Sequence, residues 1–130
     1  MAIPVLPDSS FYIRNARLGL DPFQELSRHT GEWDFFACGM VITEVTRGLR
    51  DPRVLHEYQT SFALMTYIDT TAVVWERTAH LAWSLDRQGL VIPASDILIA
   101  ACALETEAIV LTFDAHFQKI PGLRITSQLS

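Results

Sequence analysis

Four carboxylates, Asp8, Glu44, Asp96 and Asp114, are far apart along the chain but fall at related places in it. Asp8 follows a short apolar run over residues 3–6, and Asp114 follows a β-branched run over 109–111. Runs this short, bounded by turn residues, read as buried strands. Asp96 falls in the first turn of a helix opened by Pro93 and Ser95, and Glu44 lies mid-helix after the second strand. In parallel α/β sheets, ligand sites lie beyond the carboxyl ends of the strands. Asp8 and Asp114 can therefore face one crevice, the helix start bearing Asp96 points into it, and the longer Glu44 can reach inward. Carboxylates crowded into one cleft repel each other, and their pKa values rise unless a counter-ion is present. A divalent cation resolves the conflict. Mg²⁺ takes oxygen ligands at about 2.0–2.1 Å and keeps several waters. Such an ion lowers the pKa of a bound water and polarises a phosphoryl oxygen, and two ions about 3.5–4 Å apart can clamp both attacking and leaving oxygens. Each acid alone has a plainer reading: a helix cap for Asp8 and Asp96, a turn residue for Asp114, a solvated helix position for Glu44. Their coincidence carries the metal reading.

The elements that would position these acids alternate. Strands are expected at 3–6, 34–37, 67–68, 109–111 and 123–125, with helices at 9–17, 22–29, 39–49, 52–65, 71–87 and from 93 to about 104. Asp21-Pro22 and Asp51-Pro52 place proline at the first helical position. Val41, Val45 and Leu49 are four apart, and Val74, Thr78, Leu81, Ala82 and Leu85 mark an inner helical face. Asp69 with Thr70 is expected to cap the helix beginning at Thr71. Short apolar strands alternating with helices imply an α/β chain: a central parallel sheet of four or five short strands flanked by helices on both sides. No repeat, low-complexity tract or linker interrupts residues 1–130, so one domain is expected.

Composition narrows the class. About half the residues are hydrophobic, enough for a core. No stretch approaches the roughly 20 apolar residues of a membrane span, and the first residues lack the basic start of a signal peptide. Cys38 and Cys102 lie in apolar runs and read as buried free thiols of a reducing cytoplasm. The net charge of -5 argues against strong non-specific nucleic-acid affinity, although a carboxylate site itself contributes to that balance. Lys119 is the only lysine among ten basic residues, and arginine suits bidentate phosphate contacts better than lysine does.

Several segments resemble the PIN-domain family in the right order between positions 8 and 125. Pro93-Ala94-Ser95-Asp96-Ile97-Leu98-Ile99-Ala100-Ala101 is similar to the family helix that opens with a metal-binding aspartate. Leu111-Thr112-Phe113-Asp114-Ala115-His116-Phe117 resembles its Thr-x-Asp-x-x-Phe segment, and Ile120-Pro121-Gly122-Leu123 resembles its ending. Asp8-Ser9-Ser10 and Glu44-Val45-Thr46-Arg47-Gly48 match its opening Asp and its Glu with a later Gly. The resemblance implies a PIN-like fold and a ribonuclease of the VapC toxin type, hydrolysing RNA with Mg²⁺ or Mn²⁺. It implies that Asp8, Asp96 and Asp114 hold the main metal, that Glu44 helps hold a second or positions water, that Thr112 hydrogen-bonds within the cluster and that Ser10 orients the Asp8 loop. It also implies a cognate antitoxin, a homodimer, and contact with DNA only through the antitoxin. One departure is Pro7, which removes a ladder donor next to Asp8 and is expected to end the first strand early or shift Asp8.

Arg14, Arg17 and Arg47 are candidates to meet RNA phosphates. His116 is a weaker candidate for a general base, because a metal-bound water needs none. Trp75 and Trp83, eight apart on one helix, read as core or dimer surface. A phosphatase of the two-aspartate kind would need Asp-x-Asp where Asp8-Ser9-Ser10 stands, and a response regulator would need a lysine better placed than Lys119. The scattered glycines make neither a dinucleotide nor a P-loop motif. The alternative from another class is a PIN fold that binds RNA or protein without cutting; the presence of all four acids argues against it.

Overall fold

The computed structural model describes residues 1–129. Five strands, β1 (Ile3–Pro7), β2 (Trp33–Cys38), β3 (Thr66–Ile68), β4 (Ile109–Leu111) and β5 (Ile125–Thr126), form one sheet in the order β3-β2-β1-β4-β5. Every neighbouring pair is parallel. The connections carry α1 (Ser9–Arg17), α2 (Pro22–Ser27), α3 (Gly39–Thr46), α4 (Pro52–Ala63), α5 (Ala72–Arg87) and α6 (Ala94–Thr106). From β1 the chain steps to β2 and β3 in one direction, then returns past β1 to β4 and β5. Right-handed crossovers therefore lay α1 to α4 against one face and α5 and α6 against the other. No helix among the described residues is long and apolar enough to cross a membrane.

Burial follows from this layering. Val5 and Leu6 of the central strand are fully buried, as is Val110 beside them. In α6, seven consecutive residues from Ile97 to Ala103 are buried, because the helix packs on β1 and β4 on one side and on α5 on the other. A helix apolar all round can only be an interior one, and Ala100, Ala101 and Ala103 let its neighbours approach closely. On the opposite face an aromatic cluster joins α1, α2 and α4: Tyr12 and Phe23 each meet the Phe62 ring edge-on, with centroids 5.1 and 5.0 Å away. Cys38 and Cys102 are both free and both buried, as expected.

Several local expectations are corrected. Pro7 neither shortens β1 nor displaces Asp8: the strand runs through Pro7, which sits opposite Leu111. Its missing donor falls beyond the β1–β2 register, which ends at Val5 and Phe35. The Asp8 N–H makes the next bond, to the Leu111 carbonyl at 3.0 Å. Helix α3 stops at Thr46, so Leu49 belongs to the turn after it. Thr71 itself, not Asp69 with Thr70, caps α5, its hydroxyl accepting from the Val74 N–H at 3.3 Å. The last strand begins at Ile125 because Gly122 (φ 77°) and Leu123 are still completing the preceding turn. Trp75 and Trp83 are about half accessible each, which removes the core half of their reading and leaves the surface half.

Candidate metal centre

Strand order reverses beside β1, whose next strand in sequence lies on one side and β4 on the other. A crevice opens at such a switch point beyond the carboxyl ends of the strands, and Asp8 and Asp114 stand there. Asp8 is buried, and both of its oxygens accept hydrogen bonds. Its Oδ1 accepts from the Ser10 hydroxyl at 2.6 Å and from the Phe11 N–H at 3.3 Å, which caps α1. Its Oδ2 accepts from the Thr112 hydroxyl at 2.7 Å. Thr112 Oγ1 in turn accepts from the Asp114 N–H at 2.9 Å, and Ser10 Oγ accepts from the Phe113 N–H at 2.9 Å. Two hydroxyls thus tie the loop after β1 to the loop after β4. Asp114 Oδ1 accepts from the His116 N–H at 2.9 Å, which caps the 3₁₀ turn Ala115–Lys119.

Asp96 enters from the first turn of α6. Its Oδ2 lies 3.1 Å from His116 Nδ1, which is 3.3 Å from Asp114 Oδ1. One ligand atom from each of Asp96, Asp114 and His116 falls within 4.8 Å of the others. Glu44 arrives from α3 and accepts from the Ser9 hydroxyl at 2.7 Å. Asp8, Glu44, Asp96 and Asp114 line one open cleft of about 510 Å³, together with Arg14 and Arg17. All four predicted acids therefore share one pocket. The capping role weighed against Asp8 also holds, and Asp114 caps the turn after it; both use a single oxygen for this and leave the cleft its charge. Asp96 caps nothing, because Pro93 occupies the cap position of α6.

Burial raises the pKa of Asp8; hydrogen bonds from Ser10, Thr112 and Phe11 oppose this, and the neighbouring Asp114 charge adds to it. Burial likewise raises Asp96, opposed by its bond to His116 and reinforced by Asp114 and Glu44. Carboxylates held above their ordinary range by desolvation and like charge fit a divalent cation, as does the set of hard oxygens with one imidazole. A group whose folded pKa is raised stabilises the fold fully below its unfolded value, near 3.8 here, and that stabilisation is lost as pH rises through the folded value. In metal-free protein, the Tm of an Asp96→Asn variant should therefore gain on wild type as pH rises through this window. A difference that stays flat with pH would contradict the raised pKa.

A PIN domain family model matches residues 7–123. The chain belongs to the PIN-domain family. Among curated proteins no sequence matches it. Among solved structures, the PIN domain is similar to a chain of VapBC2 from Rickettsia felis bound to a DNA fragment from their promoter, at 19% identity and TM-score 0.80, covering 95% of this chain and 98% of that one. It is similar to a chain of VapBC-1 from nontypeable Haemophilus influenzae at 17% identity and TM-score 0.79, covering 95% and 97%. It also resembles a chain of FitAcB from Neisseria gonorrhoeae at 21% identity and TM-score 0.71, covering 93% and 95%. At such identities the likeness is one of fold.

The arginines of this PIN domain divide. Arg14 and Arg17 line the cleft, whereas Arg47, at the end of α3, is exposed and not among the lining residues. The Arg14 guanidinium lies over the Phe113 ring, 4.3 Å from its centroid, and Phe113 stacks on Phe11 at 6.4 Å. Phe113 thus holds a cation at the cleft rim. Sequence reasoning did not single out Phe113 or Ser9. His116, weighed only as a general base, stands with its Nδ1 beside Asp96 and Asp114.

Proposed function

We propose that this PIN domain, one domain over residues 1–130, is a metal-dependent endoribonuclease and the toxin of a VapBC-type pair. The observation that carries the reading is the convergence of Asp8, Glu44, Asp96 and Asp114 in one cleft at the switch point of the sheet. A divalent cation, Mg²⁺ or Mn²⁺, supplies there the Lewis acidity that activates water and offsets charge on a scissile phosphate. Asp8, Asp96 and Asp114 hold it, with Glu44 across the cleft as a further ligand or as the acceptor that orients water. Thr112 fixes the Asp8 carboxylate and Ser10 the loop that carries it. Arg14 and Arg17 meet the RNA backbone at the rim; Arg47 is a peripheral contact at most, since it lies off the cleft lining.

The toxin part is supported by near full-length similarity, in both directions, to chains from VapBC complexes, one of them bound to promoter DNA. The cognate partner is then an antitoxin, which alone touches DNA, and the active species is a cytoplasmic homodimer. The deciding experiment incubates purified protein with structured and single-stranded RNA. Cleavage should appear with Mg²⁺ or Mn²⁺, stop with EDTA and return when the ion is restored. RNA binding with no metal-dependent cut would replace the enzyme with a binding module.

A further inference from the structure

We propose that His116 is a nitrogen ligand of this metal centre and biases it toward Mn²⁺ over Mg²⁺. The inference rests on the metal-site part of the functional reading and adds a residue and an ion preference to it. Adjacent ligands of an octahedral ion with bonds of about 2.1 Å stand about 3.0 Å apart. His116 Nδ1 is 3.1 Å from Asp96 Oδ2 and 3.3 Å from Asp114 Oδ1, each close to one ligand–ligand edge of such a shell, and one ligand atom from each of the three residues falls within 4.8 Å of the others. A single imidazole N–H can point well at only one of these two oxygens, whereas a shared cation would satisfy both oxygens and the ring nitrogen together. The placement is built into the chain. The Asp114 carboxylate caps the 3₁₀ turn through the His116 N–H, and the buried Phe117 anchors the next position, so the ring is returned toward the carboxylates. The His116 side chain is 41% exposed, so the ring is not committed to the core, and its Nδ1 meets the site at its Asp96 and Asp114 side.

Ligand chemistry then sets the preference. Mg²⁺ demands an oxygen shell rich in water and dehydrates reluctantly, so an imidazole in place of an oxygen costs it most; Mn²⁺, the first ion of a series along which affinity for nitrogen-containing sites rises, also takes carboxylates but tolerates the exchange better. Mn²⁺ reports the ligand directly, because electron spin-echo modulation from a coordinated ¹⁴N identifies a bound imidazole. Full-length protein loaded with Mn²⁺ should show this modulation, and His116→Phe should lose it. Mn²⁺ binding should weaken about 10-fold or more in that variant, while Mg²⁺ binding changes less. Circular dichroism checks that the variant, altered at a half-exposed position, remains folded; His116→Gln, which keeps polarity without the ring nitrogen, should behave alike. Mn²⁺ bound to wild-type protein without nitrogen modulation overturns the proposal, as does modulation that survives in His116→Phe. Nitrogen-ligated Mn²⁺ in a protein that cuts no RNA would retire the nuclease reading and leave this one standing.

Discussion

An Asp96→Asn variant is expected to fold normally, bind divalent cation at least about 10-fold more weakly and cleave RNA about 10²–10³-fold more slowly. The substitution keeps the shape of the side chain and its reach to His116 Nδ1 while removing one negative charge from the cleft. That charge destabilises the metal-free fold, because burial and the neighbouring Asp114 and Glu44 oppose it. Stability and activity should therefore move in opposite directions: a higher Tm without metal at neutral pH, and a smaller rise on adding Mn²⁺, since ligand-linked stabilisation scales with affinity. Calorimetry with and without the ion, beside a cleavage time course, reads both. A variant that loses activity by unfolding would instead show a lower Tm in both conditions, and one that cuts as fast as wild type would remove Asp96 from the chemistry.

The second large effect is expected at Thr112. Thr112→Val is nearly isosteric, yet it deletes the hydroxyl that donates to Asp8 Oδ2 and accepts from the Asp114 N–H. Because Asp8 is only 3% exposed, water cannot readily replace that donor. A buried acceptor left unpaired costs about 1–3 kcal/mol, so Tm should fall by several degrees. Losing the bond also removes one of the influences that hold the Asp8 pKa down, so protons compete better with the metal for its carboxylate. Activity should drop about 10–100-fold, as for other residues that orient a metal ligand, with the pH profile displaced upward. Thr112→Ser should restore both stability and profile. Loss of stability with an unmoved profile would make Thr112 a structural residue alone.

The fold was largely legible because its strands are short apolar runs and its helices carry proline or small polar residues at their starts. Asp21-Pro22 and Asp51-Pro52 begin α2 and α4 as their residue types require, each aspartate accepting from the second helical N–H. Legibility failed where tertiary pairing chose the boundary. β5 starts at Ile125 because Val110 and Leu111 are its partners, and no local property of Leu123 announces that. Glu107 ends α6 in the left-handed region, at φ 55°, a conformation usually left to glycine or asparagine. The Ala108 N–H closes that end on the Ala103 carbonyl at 2.9 Å, and Arg124 Nη2 donates to the Glu107 carbonyl at 2.6 Å from the far side of the turn. At the site, residue type and position relative to strand ends placed the four acids in one region. The imidazole geometry of His116 and the cation–π shelf of Arg14 on Phe113 were not legible, because they depend on rotamers set by contacts between distant elements.

The hydroxyl of Thr112 holds a carboxylate from 104 positions upstream, and β4 lies beside β1 with β5 on its outer edge. A ribosome delivers β1, β2 and β3 first, leaving an open sheet edge where β4 belongs. At that stage Asp96, Asp114 and His116 have not been synthesised, and the Asp8 carboxylate has no Thr112 donor. Non-local pairing of this kind forms late by its nature. Under the proposed ribonuclease function the result is a built-in delay: a nascent polypeptide would carry no working centre against the message that encodes it, and translation aborted before β4 would release an inert fragment.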